Sequence, residues 1–301
     1  MAAGPVKDQT GDAMSSPISK PGEWTWTVLG AGTILPRAGY GSAGHALARR
    51  DGSVTLLDCG PGTVRALGAA GIGIGEVERV LVSHFHPDHW LDLLALAFAR
   101  RNPALTGLPD LELAGPVGLR GLLDRAATSV ETSAAEPRSW LRFERASVVE
   151  VDPRGGAALE RGDARFSWVA TGHTKESVAW RADLAGGVSA AYTGDTGENP
   201  SVADLARGAS LFVCECSFPD AAAVGGHLTP SSAGRMAARA GCERLLLTHF
   251  YPSLDPEAAR AGAGRAYPGP IELARDGSVH RVAKAAPAAP AEPGAWGGLP
   301  I

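Results

Sequence analysis

The chain has 301 residues, of which 45% are hydrophobic and 20% are charged, and its formal net charge is −4 at pH 7. This is the composition of a globular protein that can bury a sizeable core, and it lacks the overall basic character of a dedicated nucleic-acid-binding protein. No apolar run approaches the ~18 residues of a membrane-spanning helix, so we expect no association with a membrane.

The cysteines and the start of the sequence indicate the compartment. Cys59, Cys214, Cys216 and Cys242 form no C-x-x-C pair and no regular framework, so we expect them to be reduced and buried. The first residues lack the apolar stretch of a secretory signal. The sequence therefore predicts a cytoplasmic protein.

Composition divides the chain into three parts. Residues 1–22 are rich in Gly, Pro, Ser and Asp, and residues 285–301 are rich in Ala, Pro and Gly. Segments of this kind bury too little apolar surface to offset their ordering entropy, so we expect both tails to be disordered. The segment between them, residues 23–284, contains no short-period repeat and no long linker, and we expect it to form one domain.

The first half of residues 23–284 contains strands and helices with clear periodicity. The segment "EWTWTVL" predicts the first strand, and "HALARRDGSVTLLDCG" predicts a hairpin around an Asp51-Gly52 turn. A helix over residues 63–70, the strand "RVLVS" and a helix from about Asp88 to Arg100 follow. That last helix has apolar residues at helical spacing, which we expect to face the core: Leu91, Leu94, Ala95 and Phe98.

The second half continues the alternation of strands and helices. Predicted helices over residues 201–207 and 231–240 separate some of the later strands, which we expect at "RFSWVAT", "ESVAWRAD", "GVSAAYTGD", "SLFVCE", "RLLLT" and "SVHRV". This pattern predicts an α/β protein with mixed sheets.

The stretch "SHFHPDHW" concentrates metal-binding side chains. His84 and His86 lie two apart in an extended segment after a strand, so they point to the same side and can hold one ion. Pro87 suits the first turn of a helix, which places Asp88 and His89 at a helix start. Imidazole and carboxylate groups suit Zn²⁺ or another first-row divalent ion, and four of them exceed what one open tetrahedral site would take from so short a segment. The sequence predicts two adjacent ions.

The hexad "HFHPDH" resembles the H-x-H-x-D-H signature of the metallo-β-lactamase superfamily. Four further segments follow in that superfamily's order: "TLLDCGPGT" with Asp58, "TGHTKES" with His173, "YTGDTG" with Asp195 and "LLLTHFYP" with His249. The resemblance implies a four-layer αββα sandwich with two mixed sheets and the metals at one edge. It also implies the ligands: His84, His86 and His173 for one metal, Asp88, His89 and His249 for the other, and Asp195 as a bridge. Asp58 would orient a ligand imidazole from the outer shell.

Within the superfamily, the chain resembles the ribonuclease Z-like branch of phosphodiesterases. The matching segments are "VLGAGTILP", "ECSF" with Glu215, and "GGHLTPSS" with His227. The resemblance implies that this pair lies beside the metals, where His227 contacts a phosphate or protonates the leaving oxygen. An alternative is that His227 caps the helix that begins near Thr229 or Ser231.

The glycine-rich loop "GAGTILPRAGYGSAGH" lacks the Lys-Ser/Thr ending and the following helix of a phosphate-binding P-loop. We expect it to border the active site, where Arg37 and Tyr40 are candidate substrate contacts.

These residues predict a binuclear hydrolase, first of all a phosphodiesterase for small or single-stranded phosphodiesters. Two divalent ions, Zn²⁺ in first place and Mn or Fe as alternatives, would hold a bridging hydroxide near neutral pH. Asp88 and Asp195 would orient that hydroxide, and His227, oriented by Glu215, would act as the general acid. Hydrolysis of esters, thioesters, lactones or sulfate esters remains open, whereas a non-catalytic metal-binding protein is disfavoured because all seven inferred ligands are present.

Ribonuclease Z itself, a tRNA 3′-processing endonuclease, is a further alternative. In its short form, a long tRNA-binding arm lies between the histidine that matches His173 and the aspartate that matches Asp195. Here that interval holds only two predicted strands and a Gly186-Gly187 turn. We therefore expect that tRNA is not a partner. Homodimers are common in that branch, although no residue pattern here marks an interface.

Overall fold

The computed structural model describes residues 23–49, 52–129, 141–143 and 145–284. Both tails that we expect to be disordered, and Asp51 of the expected Asp51-Gly52 turn, lie outside these residues.

Two seven-stranded mixed sheets form the centre of the fold. The first sheet contains Trp24–Gly30 (β1), Gly44–Arg49 (β2), Val54–Cys59 (β3), Val77–Leu81 (β4), Leu111–Pro116 (β5), Ala146–Val151 (β6) and Val279–Val282 (β14), in the order β14-β1-β2-β3-β4-β5-β6. The second contains Leu159–Arg161 (β7), Ala164–Ala170 (β8), Val178–Leu184 (β9), Val188–Tyr192 (β10), Leu211–Glu215 (β11), Leu245–Thr248 (β12) and Ile271–Leu273 (β13), in the order β13-β12-β11-β10-β9-β8-β7.

Each sheet has an antiparallel half and a parallel half. In the first sheet, β14, β1, β2 and β3 pair antiparallel, and β3 to β6 pair parallel. In the second, β7 to β10 pair antiparallel, and β10 to β13 pair parallel. Parallel strands end at the same edge of a sheet, so residues that follow β3, β4, β10 and β12 can meet there.

Helices cover the outer face of each sheet. Thr63–Ala69 (α1), Pro87–Trp90 (α2), Asp92–Ala99 (α3) and Leu119–Thr128 (α4) lie against the first sheet. Pro200–Leu205 (α5), Pro230–Ala240 (α6) and Pro256–Ala263 (α7) lie against the second. The predicted α/β class and the αββα sandwich are confirmed. No helix in the described part of the chain is long and apolar enough to cross a membrane.

Adjacent strand residues contribute to two different cores. Leu57 and Leu81 join the core between the sheets, whereas Leu56 and Val80 join the core between the first sheet and its helices. This is the alternation expected of strands buried on both faces. The four cysteines are free and buried, as predicted.

The helix predicted over residues 88–100 differs from expectation in its buried face. It divides at Leu91 into α2 and α3, and it buries Leu93, Leu96 and Ala97. Of the four residues that we expected to face the core, Leu94 is half-buried and packs against it, whereas Leu91, Ala95 and Phe98 are exposed, Phe98 by 57%. The segment carries two apolar stripes, so periodicity alone could not choose between them. The inward stripe lies four, seven and eight residues after His89, whose side chain is buried at the sheet edge.

Candidate metal centre

The seven expected metal ligands come together at one edge of the sandwich. His84 and His86 follow β4, and Asp88 and His89 lie on α2. The other three, which follow β8, β10 and β12 of the second sheet, are His173, Asp195 and His249. Their donor atoms form two groups. The first group contains His84, His86, His173 and Asp195, and the second contains Asp88, His89 and His249. In each group, every donor atom lies within 4.8 Å of the others.

The Asp195 carboxylate lies between the two groups. Its Oδ2 atom is 3.7 Å from Nε2 of both His84 and His173. Its Oδ1 atom is 3.4 Å from Nε2 of both His89 and His249. Donors around a tetrahedral ion with bonds of about 2.0–2.1 Å are separated by roughly 3.3 Å, close to these distances. One carboxylate oxygen therefore faces each group, which is the arrangement of a bridging ligand.

The remaining two ligands complete the groups. His86 Nδ1 is 3.1 Å from His173 Nε2 in the first group. Asp88 Oδ2 is 3.8 Å from His249 Nε2 in the second. Asp88 also accepts a hydrogen bond of 3.1 Å from the Ile34 N–H, which ties the glycine-rich loop to the site.

Several buried polar atoms at this edge have no hydrogen-bond partner among the described residues: His84 Nε2, His89 Nε2, His249 Nε2 and Asp195 Oδ1. A buried polar atom without a partner costs about 1–3 kcal/mol, so such atoms are rare unless something else satisfies them. Here each of the three imidazole nitrogens faces the Asp195 carboxylate: His89 Nε2 and His249 Nε2 lie 3.4 Å from Oδ1, and His84 Nε2 lies 3.7 Å from Oδ2. Three imidazole nitrogens around a carboxylate suit divalent cations, so the residues present fit the ions that the sequence predicts.

Hydrogen bonds to Nδ1 direct Nε2 of His84 and His173 toward the centre of the first group. The Gly226 carbonyl lies 2.9 Å from His173 Nδ1 and can only accept, so Nδ1 carries the proton. The Ser83 hydroxyl donates to Asp58 at 2.8 Å and therefore accepts from His84 Nδ1 at 3.0 Å. Both rings keep an Nε2 lone pair for a metal ion.

The second group is held in the same way. His89 Nδ1 lies 2.7 Å from Asp58 Oδ2, and because a carboxylate oxygen only accepts, Nδ1 carries the proton and donates the hydrogen bond. The Ser217 hydroxyl donates to Glu215 at 2.5 Å and so accepts from His249 Nδ1 at 3.0 Å. Asp58 thus lies where an orienting partner was expected.

Two site residues have strained backbones. Asp58 and His249 are the non-glycine residues with positive φ among the described residues, at 58° and 59°. Such conformations cost of order 1–3 kcal/mol and persist where the surroundings enforce them, often at functional sites. In both residues the left-handed turn directs the side chain of a strand end toward the metal edge.

The electrostatics favour ionised carboxylates. Burial alone would raise the pKa of Asp195, but His249, His89 and His84 around it hold that pKa well below its usual range. Asp88 behaves similarly: burial would raise its pKa, but the nearby imidazoles of His249 and His89 outweigh burial and lower it. Both carboxylates are anions at neutral pH.

Glu215 and His227 form a hydrogen-bonded pair beside the second group. His227 Nδ1 lies 3.1 Å from Glu215 Oε1 and 3.9 Å from Asp195 Oδ2. Burial lowers the pKa of His227, but the hydrogen bond and charge of Glu215 outweigh it and raise that pKa above its usual value. The alternative that His227 caps α6 is wrong, because Thr229 is the N-cap residue and its N–H donates to the Ser232 hydroxyl.

The glycine-rich loop contacts the site through a different residue from those expected. Tyr40 is only 6% exposed and packs edge-on against Phe250, so it is not placed to touch a substrate. Arg37 lies over the Tyr40 ring, 4.3 Å from its centroid, and donates to the Leu254 carbonyl at 3.0 Å. The exposed Ile34, through its N–H bond to Asp88, is the part of the loop that borders the metal edge.

The sequence did not predict the residues that accept hydrogen bonds from Nδ1 of the expected ligand histidines. These are Ser83, Ser217 and the carbonyl of Gly226. Ser83 adjoins the hexad and Ser217 lies in "ECSF", so their positions were visible. Serines so close to predicted ligands are a signal for such partners, whereas nothing in the sequence marks the Gly226 carbonyl.

Paired groups of imidazoles and carboxylates at the edge of an αββα sandwich define a metal-dependent hydrolase. The chain belongs to the beta-lactamase superfamily. The family model described as "Beta-lactamase superfamily domain" matches residues 55–250. That range includes all seven expected ligands together with Asp58, Glu215 and His227.

The chain is similar to named relatives over most of its length. A ribonuclease Z of Kineococcus radiotolerans is 34% identical over 308 aligned positions, which cover 87% of this chain and 96% of that protein. The metallo-beta-lactamase fold protein YhfI from Bacillus subtilis has a TM-score of 0.73 at 23% identity, covering 86% of this chain and 99% of that one. The short form of human tRNase Z has a TM-score of 0.67 at 22% identity, with the same coverage. The two structural likenesses show the common fold.

Proposed function

We propose that the protein is a phosphodiesterase that acts on small or single-stranded phosphodiesters. Two divalent ions bound by the two groups would activate water near neutral pH and neutralise the charge that develops on phosphoryl oxygens. Zn²⁺ is the first choice for donors that are mostly imidazole, with Mn and Fe as alternatives. The chain's own residues supply the remaining steps.

Asp195 and Asp88 position the nucleophile. Asp195 directs one oxygen to each group, and Asp88 Oδ2 faces His249 in the second. Ionised carboxylates in these positions accept hydrogen bonds from an attacking water and hold it in line with the scissile P–O bond.

The Glu215–His227 pair carries the assignment to phosphoryl chemistry. Glu215 is fully buried and accepts a hydrogen bond from His227 Nδ1. This bond keeps the Nδ1 proton on the ring, so Nε2 is the nitrogen that can contact the substrate. A departing alkoxide or nucleoside oxygen needs a proton, and an imidazolium beside the metals can donate it from Nε2. Glu215 also accepts from the Thr196 and Leu228 N–H groups, which fixes the carboxylate that orients the acid.

The β9–β10 hairpin supports a small or single-stranded substrate. It fills the interval between His173 and Asp195, and its strands are joined only by residues 185–187. The Gly187 N–H donates to the Leu184 carbonyl at 3.2 Å, which closes the turn tightly. An extended RNA-binding arm is therefore absent from this position, all of whose residues the structure describes.

Ribonuclease Z is the second candidate. The protein from Kineococcus radiotolerans that bears this name aligns over nearly its whole length, at 34% identity. That observation favours tRNA 3′ processing. The two candidate functions use the same metal centre and differ in the substrate, which is either pre-tRNA or a small or single-stranded phosphodiester.

Competition between substrates tests the proposal. The protein, loaded with Zn²⁺, Mn²⁺ or Fe²⁺, is given bis(p-nitrophenyl) phosphate, a short single-stranded RNA and a pre-tRNA with a 3′ trailer at one salt concentration. We expect cleavage of the first two, with pre-tRNA processing absent or slow. Position-specific trailer removal at sub-micromolar RNA would instead establish ribonuclease Z.

Two controls complete this experiment. p-Nitrophenyl acetate and p-nitrophenyl sulfate test the ester and sulfatase alternatives in parallel, and faster turnover of either would contradict the phosphodiesterase assignment. Asp195→Asn should abolish every activity that belongs to this site, because it removes charge from the bridging position between both groups.

A further inference from the structure

Tyr192 connects the second sheet to the residues behind the metal ligands. It ends β10, three positions before Asp195, and it is only 2% exposed. Its hydroxyl donates to Asp58 Oδ2 at 2.8 Å. Because Asp58 belongs to β3 of the first sheet, this hydrogen bond crosses from one sheet to the other next to the metal edge.

The Asp58 carboxylate serves both metal groups. Its Oδ2 atom accepts from His89 Nδ1 at 2.7 Å and from the Ser83 hydroxyl at 2.8 Å, and its Oδ1 atom accepts from the Ser83 N–H at 2.7 Å. The Ser83 hydroxyl in turn accepts from His84 Nδ1. The orientation of one carboxylate thus sets the tautomer and direction of His89 in the second group and of His84 in the first.

We propose that Tyr192 is a positioning residue of the metal centre, whose hydroxyl fixes the Asp58 carboxylate and through it His84 and His89. The inference rests on the metal centre of the proposed function. Ser83 and His89, the other side chains bonded to Oδ2, lie on the segment that Asp58 must hold in place. Tyr192 is anchored elsewhere, so it can hold Asp58 independently of the ligands.

The ring of Tyr192 is held without its hydroxyl. Its centroid lies 5.0 Å from that of His45 and 6.2 Å from that of Trp26, both of which are buried. Replacing Tyr192 with phenylalanine therefore keeps the ring in place and removes one donor to Asp58.

Tyr192→Phe tests the proposal, with Tyr267→Phe as a matched control. Tyr267 is also buried, at 4% exposure, and its hydroxyl donates to the Cys242 carbonyl at 2.8 Å. Both variants lose one buried hydroxyl, but only the first affects Asp58. Zn²⁺ dissociation constants are measured by competition with a chromogenic chelator, together with the melting temperatures of the metal-free proteins.

We expect Tyr192→Phe to bind Zn²⁺ about 10-fold more weakly, the low end of losses from removing outer-shell partners of metal ligands. The visible absorption of the Co²⁺-substituted protein should shift as well, because the ligand field changes. Tyr267→Phe should match wild type in Zn²⁺ affinity and in the Co²⁺ absorption spectrum. In an Asp58→Asn background the effect of Tyr192→Phe on affinity should vanish, because Tyr192 acts through Asp58.

Equal Zn²⁺ affinity and equal Co²⁺ spectra in Tyr192→Phe and Tyr267→Phe would overturn the inference and leave the metal centre standing. An undiminished effect in the Asp58→Asn background would overturn it too, since Tyr192 would then act by another route. Wild-type protein that binds no Zn²⁺, Mn²⁺ or Co²⁺ would overturn the metal centre itself and this inference with it.

Discussion

Replacing Gly60 with alanine measures how closely the metal-binding hexad packs on the first sheet. Gly60 follows β3, and its N–H donates to the Ala43 carbonyl at 2.9 Å, which holds its backbone in place. A Cβ atom there would lie 1.8 Å from the carbonyl oxygen of Asp88. Ordinary contacts of this kind begin at 3.4 Å. The start of α2 would therefore have to move away by roughly 1.6 Å.

That displacement is large on the scale of metal coordination. Metal–ligand distances vary by only about 0.2 Å, so Asp88 and His89 could not both keep their bonds to an ion held with His249. We expect Gly60→Ala to retain about one ion per chain instead of two. Overpacking should also cost about 1–3 kcal/mol, or roughly 2–10 °C in melting temperature for a chain of this size.

The assay is elemental analysis after Zn²⁺ loading and gel filtration, with thermal unfolding of the same samples. Gly68→Ala is the control, because Gly68 lies in α1 and no atom lies within 4 Å of a Cβ atom added there. It should keep both ions and gain about 0.5–1 kcal/mol from the better helix propensity of alanine. Gly60→Ala protein with two ions and a wild-type melting temperature would refute this reasoning.

Three further predictions concern single histidines. His249→Ala should retain about one ion per chain, that of the first group, and loss of both ions on elemental analysis would contradict two separable groups. His227→Ala should keep both ions but lower phosphodiester turnover by roughly 10²-fold; metal loss or unchanged turnover would argue against its role as general acid. Burial lowers the pKa of His45 to about 3, so below the unfolded-state pKa the unfolded chain takes up a proton that the folded protein excludes. Wild type should therefore lose about 2 kcal/mol of stability relative to His45→Phe between pH 7 and pH 5 in urea titrations. If the unfolding free energies of the two proteins changed equally with pH, this expectation would be wrong.

Only part of the expected ligand set could be predicted from local signals, and the rest was implied by the resemblance to the superfamily. The hexad carries its own spacing. By contrast, His173, Asp195 and His249 were expected because the segments around them resemble superfamily motifs, and each follows an apolar strand. The strands β5 and β6, by contrast, were not predicted. β5 ends in Gly115-Pro116, a pair that is typical of loops, although it pairs in parallel with β6 along its whole length. Long-range pairing outweighed the local preference there.

The contacts that orient the ligands could not be read from the chain. The Ser217 hydroxyl reaches His249 across 32 positions, and the Gly226 carbonyl reaches His173 across 53. Such contacts depend on the register between strands and loops, which composition does not encode. The strained φ of Asp58 and His249 is equally invisible, because neither residue type demands a left-handed backbone.

Because the expected ligands come from both sheets, ions bound there would link the two sheets at this edge. The hexad belongs to the first sheet, whereas His173, Asp195 and His249 follow strands of the second. Without cations, this edge holds facing lone pairs instead of bonds, while the tryptophan-rich core between the sheets keeps its packing. Removing the ions with a chelator should therefore let the two sheets separate at this edge, while the opposite edge stays packed. Amide exchange and protease cleavage would then begin at the loops after β4, β8, β10 and β12.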